Sequence, residues 1–198
     1  MDIVLVRHAT CPQVDSVLLG RGVDAPLDER GEGQARFVAK RLLAVPRLVV
    51  ESSPRRRTRH TAGIIAAQRD TVVRIVPQMD EVDYGSWSGR TFEALAADPQ
   101  WRRWNRYRGV SRTPAGESIR DVQERVLAHF RKLEQMREGE TIAIVTHAEV
   151  IRSVVLLALQ APIDDYHQFE IGPASLTRLT VEGSQLRLDS VNEQAAAA

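Results

Sequence analysis

Two histidines, each closing a short apolar run, are the chemically telling residues of this 198-residue chain. The runs are Ile3-Val4-Leu5-Val6-Arg7-His8 and Ile142-Ala143-Ile144-Val145-Thr146-His147. A continuous apolar run bounded by polar residues reads as a buried strand of a parallel sheet, where ligands bind beyond the carboxyl ends of the strands. Both imidazoles are therefore expected at one crevice. A third run, Leu48-Val49-Val50, leads into Ser53-Pro54-Arg55-Arg56-Arg57-Thr58 and brings guanidinium groups to another strand end. A neutral imidazole is a good nucleophile toward phosphorus, and arginine offers a planar fork for two oxygens at once, so the set points to phosphate chemistry.

The roles can be sharpened residue by residue. Arg7 beside His8 disfavours the charged imidazole and keeps a lone pair available. Arg57 falls in the first turn of an expected helix, where free N–H groups already attract anions, and with Arg7 it can hold a phosphoryl group. Arg55, Arg56 and Arg59 read as solvated residues of the helix start, because helical spacing cannot aim all four inward. Breaking a phosphate ester also needs a proton for the departing oxygen. Asp80, Glu81 and Asp83, in Asp80-Glu81-Val82-Asp83-Tyr84-Gly85, all qualify, and residue chemistry alone leaves the three open.

The elements that must position these groups follow an alternating pattern of apolar runs and helical periodicity, which predicts a three-layer α/β/α sandwich with a mostly parallel central sheet. Strands are expected at about 2–6, 47–51, 72–76 and 141–145, and helices at about 29–44, 56–68, 118–137 and 148–159. Ile119, Val122, Val126, Phe130 and Leu133 recur at three- and four-residue steps, with Gly139 just past the helix end. Leu176 to Val181 and Leu186 to Leu188 flank Gly183 as a terminal hairpin. Residues 79–117, with Gly85, Gly89, Gly109, Gly116, Pro99, Pro114 and all three tryptophans, break the periodicity and are expected to be an irregular insertion covering the crevice. Residues 1–191 are thus expected to be a single domain and 192–198 a disordered tail.

Hydrophobic residues are 43% and charged residues 27% of the chain, ordinary globular usage for one domain. A net charge of +1 argues against a general polyanion binder, so no nucleic-acid partner is expected. Only Lys40 and Lys132 are lysine among 27 basic residues, the rest being arginine. The lone Cys11 fits a reducing compartment, and no run has the length of a membrane span or a secretory signal, so a cytoplasmic protein with no membrane partner is expected. Cys11-Pro12 lacks an arginine six residues on, where Val17 stands, and makes no thiolate phosphatase. His147-Ala148-Glu149 lacks a second histidine at metal-binding spacing, so no metal is expected. His60, His129 and His167 have no evident partners and read as surface or packing residues. Trp101-Arg102-Arg103-Trp104-Asn105-Arg106-Tyr107-Arg108 interleaves aromatics with cations as single-strand platforms do, but reads better as an amphipathic helix of the insertion.

The ordered set of motifs resembles the histidine phosphatase superfamily, which includes cofactor-dependent phosphoglycerate mutases and α-ribazole phosphatases. Leu5-Val6-Arg7-His8-Ala9-Thr10 is similar to the Arg-His-Gly opening of that family. Gly20-Arg21 with Asp24 and Pro26-Leu27, Gly31 with Gln34-Ala35, and Ser53-Pro54 with Arg57, Thr61 and Ala62 follow in the family's order. Glu81 with Gly85, Trp87 and Gly89, Pro114 with Gly116-Glu117-Ser118, and Thr146-His147 with Val150-Ile151-Arg152 complete it. The resemblance implies that His8 is the phosphorylated nucleophile, that Arg7, Arg57 and His147 bind the transferred group, and that Glu81 is the proton donor. Thr10, Arg21 and Tyr84 are further candidates for touching substrate. No metal or cofactor is implied, and the expected partner is a small phosphorylated metabolite.

Three positions depart from the family pattern: Ala9 and Ala148 stand where glycine usually follows each histidine, and Val14 where many mutases place an asparagine that contacts phosphate. The last favours net hydrolysis over phosphoglycerate mutase-type transfer. A non-catalytic phosphate-binding regulatory module is the remaining alternative, against which both histidines and Glu81 argue. α-Ribazole phosphate, sugar phosphates, phosphoglycerate derivatives or a broad mixture all fit as substrate, and the sequence specifies no oligomeric state.

Overall fold

The computed structural model describes residues 1–136, 139–183 and 185–194. Its core is a six-stranded sheet of β1 (Asp2–Arg7), β2 (Leu48–Ser52), β3 (Val73–Ile75), β4 (Thr141–Thr146), β5 (Leu176–Glu182) and β6 (Gln185–Glu193), in the order β3-β2-β4-β1-β5-β6. β3, β2, β4 and β1 pair in parallel, and β5 and β6 add antiparallel at one edge. The predicted three-layer α/β/α sandwich with a mostly parallel sheet is therefore observed.

The alternation of side chains along each strand sorts the core into two layers. Ile3, Leu5, Ile142 and Ile144 face one side, where they pack with α5 (Ile119–Met136) and α6 (Ala148–Ala158). Val4, Val6, Ala143 and Val145 face the other and meet α1 (Glu29–Leu42) and α2 (Arg56–Ala67). Each large aliphatic side chain so buried contributes about 1.5–3 kcal/mol relative to exposure. α1 starts where Asp28 accepts the Gly31 N–H at 2.7 Å, a helix-capping bond.

Boundaries differ from expectation by a residue or two, as helix and strand ends generally do. The helix expected over 118–137 begins at Ile119, and residue 137 lies outside those described. Gly139 takes the left-handed φ of +69° expected beyond a helix end. Two corrections are larger. Residues 79–117 are only partly irregular: they hold α3 (Phe92–Ala96) and α4 (Pro99–Arg106), and a bridge between Val17 and Thr91 ties them to the loop after β1. Trp87 and Trp104 are almost wholly buried and join the core that Ile3, Leu5 and α5 share, a burial that outweighs the segment's glycines and prolines. β6 continues to Glu193, making Asn192 and Glu193 strand rather than tail, because Leu176 pairs with Glu193; residues 195–198 lie outside the described ones. Among the described residues, no helix is long and apolar enough to cross a membrane.

Candidate active site

Strand register places the two histidines side by side. Arg7 lies opposite Thr146 in the β1–β4 ladder, and the His8 N–H donates to the Thr146 carbonyl at 2.9 Å. The chains leave the sheet together, and the two imidazole centres stand 5.4 Å apart, edge to face. Ser52 opposes Val145, so β2 delivers Ser53 to the same end, and α2 begins at Arg56 immediately beyond.

His8 is buried, and its Nδ1 lies 2.8 Å from the Ala9 carbonyl. A carbonyl only accepts, so Nδ1 carries the proton and Nε2 keeps its lone pair. Burial, then the Arg57 and Arg7 charges, hold His8 well below the ordinary imidazole range, so it is neutral near pH 7. Arg57, only 1% exposed, is anchored by the Gly20 and Val23 carbonyls at 2.9 and 3.2 Å, while Arg7 donates to the Ile171 carbonyl at 2.6 Å. The Nε–H groups of both arginines are buried and, among the described residues, unpaired, which leaves donors for an anion.

These groups form one end of a cavity of about 280 Å3 lined by Arg7, His8, Arg57 and Glu81, with His147 fully buried behind them. The structure separates the three candidate carboxylates. Asp80 is clamped by Arg55 through two 2.9 Å hydrogen bonds, and Asp83 accepts from the Gly85 N–H and does not line the cavity. Glu81 does line it, with Oε2 3.5 Å from His147 Nδ1 and 3.7 Å from Arg57. Burial raises the Glu81 carboxyl to about 7, against the opposing pull of Arg57. A carboxyl poised there can release a proton and take it back near neutral pH.

Other expectations need correction. Arg55 is not a solvated helix-start residue, because the buried Asp80 carboxylate recruits it. Thr10 points to Gln34 at 2.9 Å, and Arg21 binds Glu117 at 2.9 Å and the Glu81 carbonyl at 2.8 Å, so neither lines the cavity. Arg21 instead braces the loop that carries Glu81. Tyr84 does line it. His129 has a partner after all: its Nε2 lies 2.6 Å from Glu51 in the core, a pairing between α5 and β2 that local sequence cannot reveal.

The far wall is built by residues outside the set of candidate site residues. Glu149, in the first turn of α6, binds both Arg108 and Arg152. Burial opposes its ionisation, yet the two arginines outweigh burial and hold its carboxyl below the usual range. Arg108 is sandwiched between Trp104 and Tyr166, 3.9 and 3.4 Å from their ring centres. Thus 101–108 is built chiefly as helix α4 with an arginine stacked at its end. Val17, Leu18, Phe92 and Trp101 give the cavity an apolar side. The available signal was the position of Glu149 two residues after a strand-end histidine. Among the described residues, no group of three or more His, Cys, Asp or Glu side chains is placed to hold a metal ion.

A family model described as the histidine phosphatase superfamily (branch 1) matches residues 3–194. The chain is 28% identical over 185 residues to phosphoserine phosphatase 1 of Hydrogenobacter thermophilus, covering 92% of this chain and 87% of that protein. It is 29% identical over 188 residues to a probable phosphoglycerate mutase, GpmB, of Cronobacter sakazakii, covering 93% and 86% respectively. Among solved structures, a mycobacterial glucosyl-3-phosphoglycerate phosphatase in complex with VO3 superposes with a TM-score of 0.88 at 27% identity, covering 98% of this chain and 99% of that one. The phosphoserine phosphatase of Entamoeba histolytica in complex with 3-phosphoglyceric acid gives 0.85 at 26% identity, covering 98% and 97%.

Proposed function

The chain belongs to the histidine phosphatase superfamily, and on that premise we propose that it hydrolyses a small phosphorylated metabolite through a phosphohistidine on His8, with Glu81 as proton donor. His8 Nε2 attacks phosphorus while the bond from phosphorus to the ester oxygen breaks, and Glu81 gives that oxygen its proton. The carboxylate then takes a proton from water as the water oxygen displaces His8, which releases inorganic phosphate and restores both groups. Arg7, Arg57 and His147 surround the transferred group, whose developing charge needs fixed positive partners. The observation that carries the reading is the 2.8 Å contact of His8 Nδ1 with the Ala9 carbonyl, which assigns the proton to Nδ1 and leaves a neutral Nε2 for attack.

Hydrolysis is favoured over mutase-type transfer because the apolar Val14 lines the cavity, where it offers no hydrogen bond to hold a bisphosphate. The far wall suggests which esters fit. Two arginines on one carboxylate leave one net positive charge there, which suits a metabolite with a carboxylate beyond its phosphate, as phosphoserine and the phosphoglycerates have. The buried free thiol of Cys11 is consistent with a cytoplasmic setting.

The deciding experiment is a panel of phosphorylated metabolites ranked by kcat/KM, with phosphate release and phosphoglycerate isomers both measured. Carboxylated esters should lead and release phosphate. Interconversion of phosphoglycerates without phosphate release would make the chain a mutase, and binding without turnover a regulatory module.

A further inference from the structure

His147 is held from behind by a chain of groups that the mechanism above does not use. Its Nε2 lies 2.8 Å from Ser53 Oγ, and Ser53 Oγ lies 3.2 Å from Asp80 Oδ1, all within the buried interior. Asp80 is itself fixed by both hydrogen bonds of Arg55 and by the Glu81 N–H at 2.8 Å. On the cavity side, His147 Nδ1 faces Arg57 Nη2 at 3.2 Å. An arginine only donates, so this contact needs a lone pair on Nδ1 and puts the proton of neutral His147 on Nε2. The Nε2–H then donates to Ser53, and Ser53 donates to Asp80. A hydroxyl has one donor and two acceptor sites; Ser53 fills them with Asp80, with His147 and with the Arg55 N–H at 3.4 Å. The reverse order leaves Arg57 pointing an N–H at another N–H.

We propose that Ser53, backed by Asp80, is a positioning residue that fixes which nitrogen of His147 carries the proton. Resting on the phosphatase reading, this explains how one imidazole can serve two states. In the free protein, Nδ1 accepts from Arg57. When a phosphoryl dianion draws a second proton onto Nδ1, the Nε2–H is already bonded, and the new charge faces the Asp80 carboxylate 4.0 Å away through the hydroxyl. Without that hydroxyl, 4.0 Å is too long for a direct hydrogen bond, and a buried N–H is left unpaired.

The test is 15N NMR of the histidine side chains together with steady-state kinetics. Wild-type His147 should be the Nε2–H tautomer. Ser53→Ala should shift it toward Nδ1–H and lower kcat by about 10- to 100-fold with little change in KM, the scale of one hydrogen bond to a charged group. Ser53→Thr, which keeps the hydroxyl, should recover most of the rate. An Nδ1–H tautomer in the wild type, or an unchanged tautomer and kcat in a folded Ser53→Ala protein, overturns the proposal. The wild-type spectrum decides even if the alanine variant does not fold. An Nε2–H tautomer in a protein that hydrolyses no ester would sink the phosphatase reading alone, and hydrolysis with Nδ1–H the positioning role alone.

Discussion

Glu81 and His147 face each other across 3.5 Å, Oε2 to Nδ1, in a buried setting that discourages charge on both. Burial raises the acid's proton affinity and lowers the imidazole's, and the Arg57 charge lowers the imidazole's further. The pair therefore keeps its one mobile proton on the carboxyl side below about pH 7. A protonated acid beside a neutral imidazole is the state needed before an ester bond breaks.

His8→Ala should remove turnover of every phosphomonoester, including p-nitrophenyl phosphate, because among the described residues His8 is the histidine that lines the cavity, and the lone pair of His147 Nδ1 is held by Arg57. Vanadate should inhibit the wild type by resembling the five-coordinate transition state. Residual turnover of the alanine variant above a few per cent would mean that His8 is not the nucleophile.

Glu81→Gln should separate esters by leaving group. Poor leaving groups need the proton and should lose about 100- to 10,000-fold, whereas p-nitrophenolate departs unaided and the first step should survive. With that activated ester the variant should accumulate phosphohistidine, since it lacks the base for the second step. In the wild type, the first step on unactivated esters should fall about tenfold per pH unit above the Glu81 pKa of about 7. Equal losses on both ester classes would argue against Glu81 as the acid.

The same substitution should stabilise the fold at alkaline pH. The folded-state pKa of Glu81 is raised to about 7 from an ordinary 4.5, so the favourable contribution of the protonated form is full below pH 4.5 and is lost as pH rises through 7. Above that, ionised Glu81 weakens the fold by on the order of 3 kcal/mol, a cost a neutral glutamine escapes. Denaturant unfolding of both proteins at pH 5 and pH 8 should show the variant gaining relative stability at the higher value. A constant difference between them would contradict the buried, raised carboxyl.

Much of this molecule was written in local pattern. Apolar runs ending in His8 and His147 define parallel strands whose ends must share a crevice, and Arg57 follows from its place in a helix's first turn. These features repeat over a few residues, the range on which side-chain periodicity and backbone hydrogen bonding act. The three carboxylates at 80, 81 and 83 look alike on that scale. Only the packed structure turns Asp80 toward Arg55, leaves Asp83 outside the cavity and buries Glu81 within it. The same holds for Arg108 meeting Glu149 across 41 positions of chain and His129 meeting Glu51 across 78. Which charged side chain is desolvated, and by whose partner it is compensated, depends on surfaces brought together by the whole fold. The sequence determined the sheet and the ends of its strands; packing decided which acid could keep a proton.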